Sequence, residues 1–489
     1  MKRRFAVTVP CLLLLGVVVN CARNPVTGKN ELALVSEAQE IQMGQEAAQQ
    51  VGQSIGYVDD QALQDYVAGI GKRMAAQSER PNLPWEFHVV NDAAVNAFAL
   101  PGGFIYVTRG LLGAITNEAE LASVLGHEIG HVTARHSVQQ ISKAQLAQLG
   151  LGLGSILSSD IAQFAGLASQ GLGILFLKYG RDAENQADEL GFRYALTQNY
   201  DVREMDDVFE TLNRESQLGG GGGRLPEWLS THPNPENRVT RTQARLDTLH
   251  TDLASSVRNE QVYMQRIQGL TYGDDPRQGF FEGNTFYHPD MRFQLEFPEG
   301  WQTQNTPSAV VAVSPQQDAM IQLGLAGQTP PRQAAQQFLS QEGVQAGDAS
   351  TSNVNGNPAA TSYFQAQTQQ GAVQGIVSFI SYGGQTFGLL AYTGQGKLQQ
   401  YDGTFRQSIG SFSTLRNQAA LSVKPNRIEV VKVPRQMTLA QFDQQYPSTI
   451  PIEELAVINQ LEGPDSSIPA GRQVKRVTGG MEVPAPQAK

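Results

Sequence analysis

His127, Glu128 and His131 stand in the spacing HExxH within LASVLGHEIGHVTARHSVQQ, residues 121–140. An α-helix turns about 100° per residue, so positions i and i+4 share one face a turn apart, and two imidazoles there can grip one metal ion. Glu128, beside the first histidine, can reach a water at that metal without being a ligand itself. The chemistry would be metal-assisted hydrolysis. The spacing also arises by chance in unrelated helices, where two histidines make only a solvated patch, so the surrounding elements have to decide.

Those elements favour the metal. Asn117 and Glu120 fit a capping box, and Leu121, Val124 and Leu125 recur at helical spacing, which places the motif on a helix. A catalytic zinc usually holds three protein ligands and keeps a fourth position open. A continuation with glycine and then histidine is excluded, because Ala134 and Ser137 occupy those positions. On a continuous helix His136, five residues after His131, points to a different face and reads as a surface histidine. A downstream glutamate on a second helix remains, and Glu184 in RDAENQADELGFRYALT is the best candidate. Asp188, one turn on, is placed to hydrogen-bond a ligand imidazole from behind. Without HExxH the same pair would read as a solvated acidic face.

Composition narrows the class. The chain has 489 residues, 40% of them hydrophobic, enough for several domains with their own cores. Its formal charge of −10 argues against nucleic acid as a partner, since phosphate binding needs clustered Lys and Arg. Residues 1–20 read as a secretory signal: Lys2 to Arg4 are basic and an apolar run follows from Phe5 to Val19. Cys21 then fits a lipoprotein processing box, although Asn20 departs from the small residue usual before the cysteine. Lipidation at Cys21 would make the membrane contact lipid-only, and Ala22, not aspartate, points to the outer membrane facing the periplasm. An ordinary secreted protein or an uncleaved amino-terminal anchor is the alternative. The one other cysteine, Cys11, lies inside the signal, so cysteine can serve neither as zinc ligand nor as nucleophile.

The expected fold class is α+β. A tether over 21–35 leads into a mainly helical domain over 36–268 with a small sheet. Within it Asn96 to Arg109, NAFALPGGFIYVTR, reads as two strands broken at Pro101-Gly102-Gly103. Asn96, Ala97 and Phe98 could form an edge that pairs with an extended substrate, or belong to an ordinary hairpin of the core. Segment 141–179 could be a lid or core helices, and the five glycines at 219–223 a flexible loop. Residues 269–415 read as an antiparallel α+β domain with a helix at Pro331 to Gln341. Residues 416–478 read as strand, helix, helix, strand, and the tail over 479–489 as disordered.

HEIGH at 127–131, RDAENQAD at 181–188 followed by Gly191, and NAFALPGG at 96–103 together resemble the zinc peptidase family of the CAAX prenyl endopeptidases and HtpX. The opening NPVTGKNELALVSEAQEIQMG, 24–44, is similar to its soluble periplasmic, BepA-like branch. The resemblance covers about residues 24–265. It implies one Zn2+ per chain on His127, His131 and Glu184, with Glu128 as general base. It also implies a role near the site for His232 in THPNPENR, as oxyanion donor or as occupant of the open zinc position in a latent state. Members of that branch carry helical repeats after the peptidase, and no 34-residue repeat occurs here. The last unit looks instead like a divergent LysM domain, with Gln436-Met437-Thr438 where Gly-Asp-Thr is usual, so peptidoglycan is one possible partner and a structural role the other.

The expected function is that of a zinc endopeptidase of the bacterial envelope acting on unfolded or misassembled periplasmic and outer-membrane proteins. The competing reading is a latent or non-proteolytic chaperone or cell-wall adaptor. Intact His127, Glu128, His131 and Glu184 favour the enzyme.

Overall fold

The computed structural model describes residues 21–148, 179–218, 232, 235–306, 309–341, 343–346, 349–368 and 371–480. The signal, the glycine run, most of the segment expected as lid or core, and the tail beyond residue 480 lie outside the described residues. The fold is α+β, as the patterning implies.

Strands β1 (Cys21–Arg23) and β2 (Asn30–Leu32) form an antiparallel hairpin. Helices α1 (Glu37–Ser54) and α2 (Gln61–Ala75) follow, and the Ser36–Gln39 capping box expected at the head of α1 is present. Strands β3 (Glu86–Val90), β4 (Ala97–Leu100) and β5 (Phe104–Thr108) make one sheet in the order β3-β5-β4. β3 runs parallel to β5, and β4 pairs antiparallel to it across the Pro101-Gly102-Gly103 turn, where both glycines have positive φ. Next come α3 (Arg109–Ala114), α4 (Glu118–Thr133), which carries the HExxH motif, and α5 (His136–Gln148). The chain then forms α6 (Arg181–Thr197), α7 (Glu204–Leu218), α8 (Pro235–Asp247) and α9 (Glu260–Ile267).

The core lies between helices and sheet. Leu63, Val67, Ile70 and Met74 of α2 meet Phe87, Val89, Ile105 and Val107 of the sheet and Leu121, Val124 and Leu125 of α4. Ala47 and Val51 of α1 cover the other sheet face at Val90, Leu100, Phe104 and Tyr106. Every residue of α4 is buried, so the motif sits on a core helix and not on an amphipathic surface one. At its head Asn117 accepts from the Glu120 amide at 3.0 Å, while the Glu120 carboxylate reaches back to the Thr116 amide at 2.8 Å. The returning half of the cap thus lands one residue earlier than the capping-box pattern predicts.

The stretch expected as a tether is folded onto the domain. Asn24 donates to the Ala134 carbonyl at 3.2 Å, the Leu34 amide donates to Ser142 Oγ at 2.9 Å, and Ala33 and Val35 pack on Val138 and Ile141 of α5.

The middle region holds an eight-stranded antiparallel sheet whose long central strands are Ala319–Leu325, Asn357–Thr368, Gly371–Tyr382 and Gln385–Gly394. Helix Pro331–Leu339 matches the expected interruption, and helix Leu398–Ser411 packs Phe405 into the same core as Phe293 and Phe387. The last unit runs strand Asn426–Lys432, helix Leu439–Gln445, helix Ile452–Ile458, strand Gln473–Gly479, the order read from sequence. Its sheet recruits β6 (Thr271–Tyr272), which pairs with Asn426 and Arg427. Lys475, fully buried, donates to the carbonyls of Gly113, Ala114 and Ile115 at 2.7, 3.3 and 2.8 Å. While Lys475 is charged, its three ammonium protons match these three acceptors. That bond set fixes the last unit against the end of α3 and the start of the motif helix.

Candidate metal centre

The site exists because α4 and α6 touch backbone to backbone. Gly126 and Gly130 of α4 face Gly191 and Ala187 of α6, and a Cβ on Gly191 would meet the His127 nitrogen at 2.7 Å. With glycine at three positions of that seam, the helices approach closely enough for a glutamate on α6 to reach imidazoles on α4.

The two motif histidines converge. His127 Nε2 and His131 Nε2 are 2.9 Å apart, and Glu184 places Oε2 3.7 Å from the first and Oε1 3.4 Å from the second. His232 stands three residues before α8, its ring centroid 5.1 Å from that of His127 and 5.4 Å from that of His131. One donor atom from each of His127, His131, Glu184 and His232 lies within 4.8 Å of all the others. Glu128 is alongside, with Oε1 3.7 Å from His232 Nε2. All five side chains are buried.

Behind the donors sits a second layer. Asp188 Oδ1 lies 2.8 Å from His127 Nδ1, the contact anticipated from the i, i+4 spacing with Glu184. Arg238 of α8 clamps the same carboxylate with Nη2 at 2.6 Å and Nε at 3.0 Å, and its Nη1 is 3.6 Å from Glu184. Phe209 of α7 lies under the guanidinium, 4.2 Å from ring centre to Cζ. Asp188 Oδ1 only accepts and lies nearer to His127 Nδ1 than the Arg238 Nη2 donor at 3.1 Å, so the proton sits on Nδ1 and Nε2 is presented as a lone pair.

The electrostatics suit a divalent cation. Burial pushes Glu128 and Glu184 up to about 8 and His131 down to about 3, and holds His127 and His232 well below the usual histidine range. Among the described residues, both Glu184 oxygens are buried without a hydrogen-bond partner, as is Glu128 Oε1. Neutral imidazoles and a desolvated carboxylate aimed at one point are a nitrogen–oxygen donor set of the kind zinc takes. Glu128, Glu184 and Asp188 against Arg238 leave two negative charges in excess when all are ionised, which one divalent ion balances.

The sequence reading needs one correction and two additions. His136 is not a surface residue: it is buried, with Nδ1 3.0 Å from His131 Nδ1 and Nε2 2.9 Å from Gln186 Oε1. The helix assumed to be continuous breaks at Ala134 and at Arg135, whose φ is +59°. His136 therefore starts a new helix turned back towards His131. Arg238 was visible only as the last letter of THPNPENR. Tyr179 carried no signal, yet its ring stacks on His131 at 4.0 Å and its hydroxyl pairs with Ser137 at 2.9 Å. β4 is an edge strand of its sheet. The Thr108 amide bonds the Asn96 carbonyl at 3.0 Å, and with Ala97 opposite Val107 the alternation turns the backbone groups of Ala97 and Ala99 away from β5.

Two histidines one turn apart on a core helix, with a glutamate from the helix packed against it and a buried acid beside the first histidine, fit a site for metal-assisted hydrolysis. Residues 61–246 match the family described as Peptidase family M48. The donor cluster of His127, His131, Glu184 and His232 fits a zinc site. The Beta-barrel assembly-enhancing protease of Yersinia pestis is 31% identical over 264 residues, 51% of this chain and 52% of that one. The protein of the same name from Escherichia coli (strain K12) is 29% identical over 259 residues, 50% and 51% of the two chains. The Mitochondrial metalloendopeptidase OMA1 of Arabidopsis thaliana is 36% identical over 184 residues, 37% and 36% of the two. The chain spans about half the length of the assembly-enhancing proteases it matches.

Proposed function

We propose that this protein is a zinc endopeptidase of the bacterial envelope that cleaves unfolded or misassembled periplasmic and outer-membrane proteins. The observation that carries the reading is the cluster of His127, His131, Glu184 and His232 donor atoms with Glu128 beside it. The relatives' name, Beta-barrel assembly-enhancing protease, supports the substrate class.

His127, His131 and Glu184 hold the metal, and Asp188 with Arg238 fixes the first of them. Zinc held there would polarise the scissile carbonyl and make a water nucleophilic near neutral pH. Glu128 takes the proton of the attacking water and passes it to the leaving amine. In the arrangement described His232 lies among the donors, the posture of a closed site. Drawn back from the donors, and with its single proton on Nε2 rather than Nδ1, His232 donates to the developing oxyanion. The outward backbone groups of Ala97 and Ala99, with Asn96 and Phe98 flanking, pair with an extended substrate, a mode that selects unfolded backbone more than a particular sequence.

Lipidation at Cys21 would hold the protein at the outer membrane on its periplasmic side; among the described residues no helix is long and apolar enough to cross a membrane. The boundaries 36–268, 269–415 and 416–478 are carried forward as the domain division. Peptidoglycan binding by the LysM-like unit is part of this proposal, tested by whether the full chain sediments with insoluble peptidoglycan. The enzymatic reading is tested with unfolded casein: wild type cleaves it in the presence of zinc, and Glu128→Gln does not. Equal cleavage by both proteins would remove Glu128 from the mechanism.

A further inference from the structure

Among the described residues, His131 has no carboxylate behind it comparable to Asp188 behind His127; it has His136, and behind His136 it has Gln186. Gln186 lies on α6 between Glu184 and Asp188, so one helix supplies a candidate ligand, the partner of one ligand histidine and the end of the chain that reaches the other.

We infer that His136 is a positioning residue for the metal centre: with Gln186 it fixes His131 in the Nδ1–H tautomer and turns its Nε2 lone pair to the metal. This rests on the zinc reading above. The logic starts at the far end. A neutral imidazole has one N–H. The Gln186 carbonyl oxygen, 2.9 Å from His136 Nε2, only accepts, so His136 carries its proton on Nε2. His136 Nδ1 is then an acceptor, and His131 Nδ1, 3.0 Å away, must donate to it. That leaves His131 Nε2 bare, 2.9 Å from the equally bare Nε2 of His127. The reverse direction, with the Gln186 amide nitrogen donating, would place a proton on His131 Nε2 and abolish it as a ligand.

The test uses the full-length protein. Its seven histidines make selective nitrogen-15 labelling of histidine tractable, and long-range proton–nitrogen spectra report each tautomer with and without zinc. The expected result is Nε2–H for His136 and Nδ1–H for His131. Zinc affinity is measured by competition with a chelator. His136→Ala should weaken it about 10- to 100-fold, the range for lost partners of ligand histidines. His136→Asn, whose side-chain oxygen can occupy the Nδ1 position, should recover most of that loss, and Gln186→Glu should tighten binding above wild type. A merely structural role predicts equal loss in the Ala and Asn variants, tracking their unfolding temperatures, and overturns the inference. So does an Nδ1–H tautomer at His136, or wild-type affinity in a folded His136→Ala. If wild type binds no zinc the proposed function falls, while the tautomers of the zinc-free protein still decide this inference.

Discussion

A methyl group on Gly191 would lie 2.7 Å from the backbone nitrogen of His127, closer than any real contact of that kind. The glycine of one helix and the first metal ligand of the other are therefore a single geometric unit. Gly191→Ala should force the seam open, cost about 1–3 kcal/mol by overpacking, and withdraw Glu184 from both histidines. Denaturant unfolding of the zinc-free protein, paired with zinc affinity, checks it. Loss of affinity without loss of stability would mean that the helices part more easily than their packing implies.

Asp188 and Arg238 should fail together more gently than apart. Asp188→Asn removes the charge from the carboxylate behind His127 and leaves Arg238 buried beside Glu184, a change of the class that costs about 3–5 kcal/mol. Zinc affinity should fall about 10- to 100-fold as well. Pairing Asp188→Asn with Arg238→Met should restore much of the stability but not the affinity. A double-mutant cycle with no coupling would contradict the direct pairing at 2.6 Å.

Lys475 predicts a pH dependence. Burial lowers it from 10.5 to about 7, against the favourable fields of Glu120 and Glu215 and the unfavourable one of Arg472. Between those values the unfolded chain keeps a proton at residue 475 that the folded chain releases. Stability from this group therefore rises with pH from about 7 to 10.5 and is lost below about 7. Glu120 and Glu215, pushed up to about 7, act in the window below, where the folded chain holds the extra protons. The unfolding free energy of wild type minus that of Lys475→Met should accordingly climb between pH 7 and 10. A flat difference would mean that residue 475 titrates alike in both states.

The outward edge of β4 predicts a binding defect without a metal defect. Ala99→Pro removes a backbone N–H that the sheet does not use. Casein cleavage should show a raised KM with zinc content unchanged. A fall in kcat alone would place the substrate elsewhere.

What the sequence disclosed follows from the range of the interactions involved. HExxH, the capping residues and the Glu184–Asp188 pair are local patterns at helical spacing, and local spacing survives folding because the helix imposes it. The strand–helix–helix–strand order of the last unit was legible for the same reason. His136 reads as a surface residue because a regular helix continued through Arg135 turns it outward, and a non-glycine residue at positive φ leaves no mark on a hydrophobic pattern. Its side chain is held by Glu40 at 2.9 Å and the Val35 carbonyl at 3.0 Å, contacts some hundred residues away. Arg238 and Lys475 escaped likewise: nothing in a chain distinguishes a cation that will be buried against distant carboxylates or carbonyls from one left in water, and nothing marks Tyr179 as the ring that stacks on His131.

The most direct test of the account is metal analysis of purified wild type beside Glu128→Gln. One zinc per chain in both, with casein cleavage in wild type alone, is the predicted result, because Glu128 stands next to the donors without being one of them. Wild type purified under metal-replete conditions with no stoichiometric zinc would contradict the central claim.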